Sequence, residues 1–315
     1  MNLRIATYNI ENLSDRHLAQ RIPYLVPTLQ RLRADVLCLQ EVHAQDGRLD
    51  ALHRLLEGTV YGDYHLHVTR DNDGHPFSVR NLVTLSRYPI VDRAQILHDL
   101  VPPPRYSSVT AIPPPTEPEP VPWPRPVLHT CIALPQGCEL HVFNLHFKSK
   151  HPTPIAGQQI DRFTWKSPSA WAEGFFLSSM KRVGQAIEVR MMLDRLMADT
   201  EAPLIAVCGD FNAESHEVPI QALQGRVEDT GNPEHGMRLM VPCENAVPAP
   251  SRHTLFHQGR ANLLDHLLVS RHLLARHAHS EIHNEILHDE SIAFADDRKY
   301  PESDHAPMVA TFLFD

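Results

Sequence analysis

The sequence predicts an α/β fold with mixed sheets, and three observations support this prediction. Short apolar, strand-like runs recur along the whole chain of 315 residues. Two longer segments between them have the apolar spacing of helices. No flexible linker separates two groups of strands, so we expect residues 1–315 to form a single domain.

The strand-like segments are apolar and end at polar or turn-forming residues. In chain order they are LRIATYNI, ADVLCLQEV, NLVTLSRYPI, VLHTCIAL, ELHVFNLHF, LIAVCGDFN, LLDHLLVS and MVATFLF. Runs of this length and composition are typical of strands. Their alternation with helical segments favours a sandwich of sheets and helices over an all-β or all-α fold.

The helical segments differ in how clearly they are marked. A core-facing stripe within residues 175–197 comprises Phe176, Met180, Val183, Ile187 and Met191. The segment from Leu18 to Leu32 has a similar stripe, but Pro23 and Pro27 interrupt it. A helix there should therefore start late or kink, because proline removes a backbone donor and clashes with the preceding turn.

Residues 102–126 contain eleven prolines, so this segment cannot lie inside a sheet. It predicts an extended surface loop with polyproline II character. A connector is the preferred interpretation, and a loop that binds a partner is the alternative.

Composition narrows the functional classes. The formal net charge of −9 argues against a protein that binds nucleic acid mainly by neutralising phosphates, but not against an enzyme whose bound metal supplies local positive charge. No run of 18 apolar residues is present, so we expect no transmembrane segment. No motif indicates an obligate protein partner.

The chain starts directly with a strand-like pattern and shows no signal peptide, so we expect a cytoplasmic protein, while secretion stays open. The five cysteines are scattered and form no C-x-x-C motif. Cys131 and Cys138 flank a hairpin-like turn and could pair, but reduced cysteines are the preferred interpretation.

Polar side chains interrupt or follow the apolar strands. They are Asn9, Glu11, Glu41, His146, Asp210, Asn212, Asp265, Asp304 and His305. A single acid at a strand end usually belongs to a turn, yet open α/β sheets also bind ligands at strand ends. Asp265 lies in a strand that we expect to be buried, and an unpaired buried carboxylate costs several kcal/mol. His305 is its natural partner.

Taken together, these blocks resemble the endonuclease/exonuclease/phosphatase superfamily, which includes pancreatic-type deoxyribonucleases, apurinic/apyrimidinic endonucleases, inositol polyphosphate 5-phosphatases and neutral sphingomyelinases. The matching blocks are YNIEN, LCLQEV, LSRYPI, NLHFKS, GDFN, LLDHLLVS and SDHAP, in the family's order. The resemblance implies a four-layer α/β sandwich, with two mixed sheets packed face to face and helices outside. The active site would lie at one edge, between the sheets.

The resemblance also implies a metal site. Glu41 matches the family's main metal-binding glutamate, and Asp304 matches the aspartate that completes the site. Asn9 matches an amide that positions metal or phosphate, and Glu11 falls where several members have a second acidic ligand. Oxygen ligands without cysteine favour Mg²⁺, with Mn²⁺ as the alternative.

Catalytic roles follow from the same resemblance. Asp210 matches the residue that orients or deprotonates the attacking water, and Asn212 matches a donor to the scissile phosphate. His146 matches a phosphate-facing histidine of the deoxyribonuclease-like and sphingomyelinase-like branches. Asp265 and His305 match a pair in which the aspartate fixes the imidazole. Phosphate ester hydrolysis needs such groups because water must be aligned and negative charge neutralised.

The substrate is less well defined, because a fold does not determine it. An insertion at residues 148–182 combines aromatic with basic residues, of which Lys148, Lys150, Arg162 and Lys166 are candidate substrate contacts. Arg80 and Asn81 are a second candidate contact. Alternatively, the insertion is a solvated segment whose aromatic side chains pack inward.

Three functions remain open. A nuclease acting on DNA or RNA is preferred. The alternative is a phosphatase or phospholipase-C-like hydrolase acting on an inositol phosphate, a phospholipid or another small phosphoester. A catalytically silent binding module is disfavoured because each expected catalytic position carries a competent residue.

Overall fold

Two six-stranded mixed sheets packed face to face form the centre of the molecule. The structure, a computed structural model, describes residues 1–135, 137–295 and 300–314. The helices are α1 Leu18–Leu32, α2 Asp50–Leu56, α3 Pro168–Asp199, α4 Val218–Gln224, α5 Val227–Thr230, α6 Arg271–Leu274 and α7 Glu290–Ala295. Short 3₁₀ helices cover Val60–Asp63, Pro233–Arg238, Cys243–Ala246 and Ala249–Ser251.

The strands of the first sheet lie in the order β15-β16-β1-β2-β4-β3. Their bounds are β1 Asn2–Leu13, β2 Val36–Val42, β3 His65–Val68, β4 Asn81–Ser86, β15 His277–Ile282 and β16 Met308–Leu313. The strands β1 and β2 are parallel, whereas the other neighbours are antiparallel.

The second sheet has the order β11-β14-β10-β9-β8-β5. Its strands are β5 Ile90–Ile96, β8 Val127–Ala133, β9 Glu139–His146, β10 Leu204–Asp210, β11 Met240–Pro242 and β14 Asp265–Ser270. Here β9 and β10 form the parallel pair. Two short hairpins stand apart: β6 Arg105–Tyr106 with β7 Glu119–Pro120, and β12 Leu255–His257 with β13 Arg260–Asn262.

Three apolar clusters separate the four layers. Side chains from both sheets, such as Ile5 and Val142, fill the space between them. The outer face of the first sheet packs against α1 and α2, and the outer face of the second packs against α3 and α4. This arrangement confirms the predicted α/β sandwich with mixed sheets. No helix among these described residues combines the length and apolarity that crossing a membrane requires.

The two helix predictions have different outcomes. α1 begins at Leu18 and contains both Pro23 and Pro27, so it does not start late; the other possibility, a kink, stays a prediction. In α3 the predicted core stripe lies on the wrong side, since Phe176, Ile187 and Met191 are 47%, 43% and 36% exposed.

The inward side of α3 combines Leu177, Val189 and Leu193 with small and polar residues, among them Gly174, Ser178, Gly184, Gln185 and Glu188. The reason is close packing: a Cβ at Gly184 would lie 2.4 Å from the ring of Trp123. Apolar periodicity therefore misidentified the buried side of a helix that needs small residues at its contact.

Trp123 also qualifies the prediction for residues 102–126. The segment is largely exposed, but the Trp123 ring is buried and its Nε1–H donates to Glu188 Oε2 at 3.2 Å. The proline-rich segment is thus anchored to α3. The cysteines are all free. Cys131 lies opposite His141 across the hairpin, so the disulfide between Cys131 and Cys138, which the sequence left as an alternative, is not formed.

Candidate active site

The candidate site lies where the two large sheets meet at one edge. In the second sheet, Asp210 at the end of β10 is the register partner of His146 on β9 and of Asp265 on β14. Partners on adjacent strands project to the same face of a sheet. These three polar side chains therefore form one row that faces the other sheet.

Gly209 allows this row to form. Its φ is 143°, and a Cβ at this position would lie 1.9 Å from the carbonyl oxygen of Leu145. Only glycine permits this approach of β9 and β10. Phe211 is buried on the opposite face and packs against Phe147, as the alternation along the strand predicts.

The first sheet contributes Asn9, Glu11 and Glu41 from irregular strand ends. The register between β1 and β2 shifts between Asn9 and Leu13, and that between β2 and β4 shifts between Leu39 and Val42. Glu11 and Glu41 both have left-handed backbone conformations, with φ of 48° and 63°. Such bulges redirect side chains and are frequent beside functional sites.

The Asp210 carboxylate is the centre of a buried hydrogen-bond network. Its Oδ1 accepts from the Asn212 backbone N–H at 2.8 Å, and its Oδ2 accepts from the side-chain amides of Asn9 and Asn212, each at 3.1 Å. His146 Nε2 lies 3.2 Å from the same oxygen. Burial alone would raise the pKa of Asp210, but His146 and the hydrogen bonds hold it below its usual value.

Asp265 and His305 form the predicted pair, with 2.7 Å between Oδ2 and Nδ1. The other ring nitrogen of His305 lies 4.0 Å from Asp210 Oδ2. Burial opposes a charge on this ring, yet Asp265 and Asp210 raise the pKa of His305 well above its usual value. Asp265 thus holds the ring through Nδ1, and Nε2 faces Asp210.

Glu11, Glu41 and Asp304 bring acidic groups together beside this network. Burial and the neighbouring carboxylates raise the pKa of Asp304 to about 8, and burial raises that of Glu11 as well. The backbone N–H of Asn12 donates to Glu41 at 3.1 Å, and that of Asp304 donates to Glu11 at 3.2 Å. Carboxylates without a thiol are the ligands that hard divalent cations take. The ligand atoms at this edge that lie within 4.8 Å of one another are those of Asp210, Asp265 and His305.

Two predicted phosphate contacts have different outcomes. Arg80 is exposed and its Nε lies 3.9 Å from Glu41 Oε1, so it borders the site. The prediction for Asn81 is wrong. Asn81 is fully buried, and its side-chain amide forms hydrogen bonds with Thr69, Phe77 and the carbonyl of Val42. Its hydrogen-bonding capacity is used within the protein, which excludes the predicted contact with substrate.

The basic insertion is less cationic than its sequence indicates. Lys148 donates to two backbone carbonyls, and Lys150 pairs with Glu217 at 2.7 Å. Lys166 is exposed and donates to the carbonyl of Gly157. Arg162 lines a cleft of about 960 Å³ whose other lining residues include Glu11 but not Asp210, His146 or His305. α3 begins at Pro168, so the second half of the predicted insertion is its first turns.

Several supporting residues escaped sequence reasoning. Arg125 donates to the carbonyl of Phe147 at 2.7 Å, beside His146, and burial lowers its pKa to about 10. Ser303 donates to the carbonyl of Asn9, and Thr254 accepts the N–H of Asp265. Ser303 adjoins the SDH block and could have been inferred. Arg125 could not, because it lies in the proline-rich segment, where no local pattern marks it.

Comparison with known proteins places this site in context. Curated protein sequences give no significant match. A solved structure of an endonuclease/exonuclease/phosphatase family protein from Bacteroides thetaiotaomicron is 17% identical, with a TM-score of 0.60 over 100% of this chain and 96% of that chain. A truncated Caenorhabditis elegans TDP2 is 14% identical, with a TM-score of 0.58 over 100% and 98%.

A third structure, the 3′ phosphatase NExo from Neisseria bound to a product DNA hairpin, is 16% identical, with a TM-score of 0.56 over 99% of this chain and 100% of that chain. At these identities the likeness shows the fold alone. The model of the Endonuclease/Exonuclease/phosphatase family matches residues 6–305. Members of this family are hydrolases that act on phosphoester bonds. This chain therefore belongs to the Endonuclease/Exonuclease/phosphatase family.

Proposed function

We propose that the chain is a Mg²⁺-dependent phosphodiesterase that acts on nucleic acid. One observation carries the proposal. The buried Asp210 carboxylate is held by Asn9, Asn212 and His146. His305 Nε2 lies 4.0 Å from Asp210 Oδ2, and His146 Nε2 lies 3.8 Å from Glu41 Oε1. In-line hydrolysis of a phosphate ester requires a carboxylate that lies beside hydrogen-bond donors and a cation site.

The metal would be held by Glu41, Glu11, Asp304 and the Asn9 amide. The donor set is made of oxygen atoms, which supports Mg²⁺, with Mn²⁺ as a close substitute. When bound, the metal would neutralise negative charge on the phosphate and polarise one of its oxygens.

The chain's own residues would align water and phosphate. Asp210 stays ionised and so can orient a water molecule and accept its proton. Asn212, His146 and His305 would donate hydrogen bonds to phosphate oxygens. Asp265 occupies Nδ1 of His305 and thereby fixes the tautomer and the direction of the Nε2–H.

A nucleic acid substrate is supported by the cleft beside Glu11. Basic and aromatic side chains line it, including Arg16, His17, Tyr24, Arg162 and Tyr300. Its volume of about 960 Å³ exceeds what a single phosphate group needs. Cationic groups with exposed rings suit a strand that binds by charge and stacking.

A phospholipid is the second candidate, and a different surface supports it. Apolar side chains on the proline-rich segment, the insertion and the start of α3 are exposed: Val109, Ile112, Ile160, Phe163, Trp171, Phe175 and Phe176. These segments contact each other, since Ile112 N–H donates to the Ala156 carbonyl and the Tyr106 and Phe176 rings lie 5.4 Å apart. An exposed apolar area beside a catalytic edge suits a lipid surface.

A substrate panel separates the two. Metal-free protein would be assayed with single-stranded DNA, plasmid DNA, RNA, phosphoinositide and sphingomyelin vesicles, and bis(p-nitrophenyl) phosphate, with and without Mg²⁺ or Mn²⁺. We expect Mg²⁺-dependent cleavage of a nucleic acid, and Glu41→Gln should need more Mg²⁺. Faster turnover of vesicles would establish the second candidate. Full activity after exhaustive chelation would exclude the metal-dependent mechanism.

Arg162 provides a further test of the nucleic acid substrate. Arg162→Ala should raise KM for a long polyanion severalfold and reduce its salt dependence, because fewer counterions are released. Turnover of the small chromogenic diester should not change. Lys166→Ala, a neighbouring exposed charge outside the cleft lining, is the matched control. Equal effects of both substitutions would show that only general charge is involved.

A further inference from the structure

A second group of metal-ligand side chains lies on the outer face of the second sheet. Cys131, Glu139 and His141 each place one ligand-type atom within 4.8 Å of the others. His129 adds a second imidazole, with 3.1 Å between its Nε2 and His141 Nδ1. A thiol, two imidazoles and a carboxylate are the ligands that zinc prefers.

Strand geometry explains why these side chains converge. Cys131 and His141 are register partners on β8 and β9, so both project to one face. His129 and Glu139 are two residues from these partners along the same strands and share that face. Asp92 on β5 is the register partner of Cys131 and adds another carboxylate on this side.

The group is partly enclosed. Cys131 is 3% exposed and His141 is 9% exposed, whereas Glu139 is exposed. The His129 ring stacks on Phe143, with centroids 4.4 Å apart, which restrains its orientation. An ion could therefore enter from the Glu139 side and meet two ligands already held by packing.

This group is separate from the candidate active site. His141 and His146 are on the same strand but project to opposite faces, because their positions differ by five, an odd number. Five strand residues also span about 17 Å along β9. Its ligands include a thiol and two imidazoles, whereas the active-site carboxylates suit a hard cation.

We propose that Cys131, His141, His129 and Glu139 form a second metal site that binds Zn²⁺ and clamps the β8–β9 hairpin. Zinc bonds of about 2.0–2.3 Å place tetrahedral ligands about 3.3–3.7 Å apart. Ligand atoms of Cys131, Glu139 and His141 lie within 4.8 Å of one another, and His129 adjoins them through His141 Nδ1 at 3.1 Å, so an ion would draw these side chains together by side-chain rotation. The alternative is a hydrogen-bonded polar cluster without an ion.

Cobalt spectroscopy tests this proposal without relying on activity. Metal-free protein would be titrated with Co²⁺, and we expect a thiolate-to-cobalt charge-transfer band that saturates at one ion per chain. Oxygen ligands of the active site cannot produce this band. Cys131→Ser should abolish it, whereas Cys138→Ser should retain it, because Cys138 packs toward the space between the sheets. The absence of the band in the unsubstituted protein would overturn the proposal, whether or not any variant folds.

Zinc affinity gives a second measurement. In competition with a chromophoric chelator, Cys131→Ser and His141→Gln should each weaken Zn²⁺ binding more than about 10-fold, since even outer-shell partners are worth about 10–100-fold. Zn²⁺ should raise the Tm of the unsubstituted protein and of Cys138→Ser, but not that of Cys131→Ser. Glu139→Gln, at an exposed position, should fold and weaken binding less. Unchanged affinity in Cys131→Ser and His141→Gln would contradict the site.

Discussion

Neighbouring residues of β14, Asp265 and His266, each belong to a buried carboxylate–histidine pair. The two pairs differ in what the Nε2 atom of the imidazole contacts. Asp265 contacts His305 Nδ1 at 2.7 Å, and Glu244 contacts His266 Nδ1 at 2.5 Å. His266 Nε2 contacts the Ala213 carbonyl at 2.8 Å, whereas His305 Nε2 faces Asp210 at 4.0 Å. Asp265 and His266 are consecutive, so they project to opposite faces of the sheet.

We expect this difference to separate a structural pair, Glu244–His266, from a catalytic one, Asp265–His305. Both pairs have a buried carboxylate that orients an imidazole, so neither the contact nor the burial identifies the active pair. The Glu244–His266 pair has both ring nitrogens occupied by protein, and its ring packs against Phe211 at 5.2 Å. The Asp265–His305 pair leaves one N–H directed into the catalytic edge, where it can donate to a substrate.

The largest expected difference is in turnover. His305→Gln should lower kcat by about 10²–10⁴-fold, the usual contribution of a positioned acid–base group. His266→Gln should leave kcat per folded molecule near that of the unsubstituted protein while lowering Tm. Steady-state kinetics on the best substrate, with folded protein quantified by circular dichroism, checks both. A large loss of kcat in folded His266→Gln would contradict the distinction between the Glu244–His266 and Asp265–His305 pairs.

Coupling within the reactive pair is the next expected effect. Asp265 acts through His305, so the double variant Asp265→Asn/His305→Gln should be little slower than His305→Gln alone. Each single variant and the double variant would be compared in kcat. Fully additive losses would show that Asp265 does not work through this imidazole.

The structural pair should dominate stability. Glu244→Gln leaves a buried imidazole without its carboxylate, and breaking a buried pair costs about 3–5 kcal/mol. Urea denaturation at neutral pH measures this free energy, and kcat of the folded variant should change little. A loss below about 1 kcal/mol would mean that Glu244 and His266 are not an ion pair in solution.

The pH dependence of this stability loss is the smallest expected effect. Burial opposes a charge on His266, but Glu244 and the Ala213 carbonyl raise the pKa of this ring above its usual value of 6.5. A raised pKa in the folded state contributes stability that is complete below about pH 6.5 and is lost as pH rises through the raised pKa. The destabilisation by Glu244→Gln should therefore shrink as pH rises above about 6.5. A difference that grows with pH would reverse the assignment of charge.

Much of the fold followed from local patterns. The strand-like runs correspond to β1, β2, β4, β8, β9, β10, β14 and β16, because short apolar runs bounded by turn residues have few other solutions. Local pattern failed for α3, whose buried side mixes apolar residues with small and polar ones, such as Gly184 where Trp123 packs. The roles of the predicted site residues stay predictions, although Asn81 is excluded by its own hydrogen bonds.

The sequence by itself determined which polar residues stand at strand ends and in which order, because these positions interrupt apolar runs. The tertiary structure decided which of them meet: Asn9 and Asp210 are 201 residues apart and Asp265 and His305 are 40 apart. It also decided that Lys150 pairs with Glu217, that Arg125 lies beside His146 and that His266 contacts Glu244. The physical reason is that strand register and sheet packing, rather than neighbours in the chain, set each side chain's partners and burial.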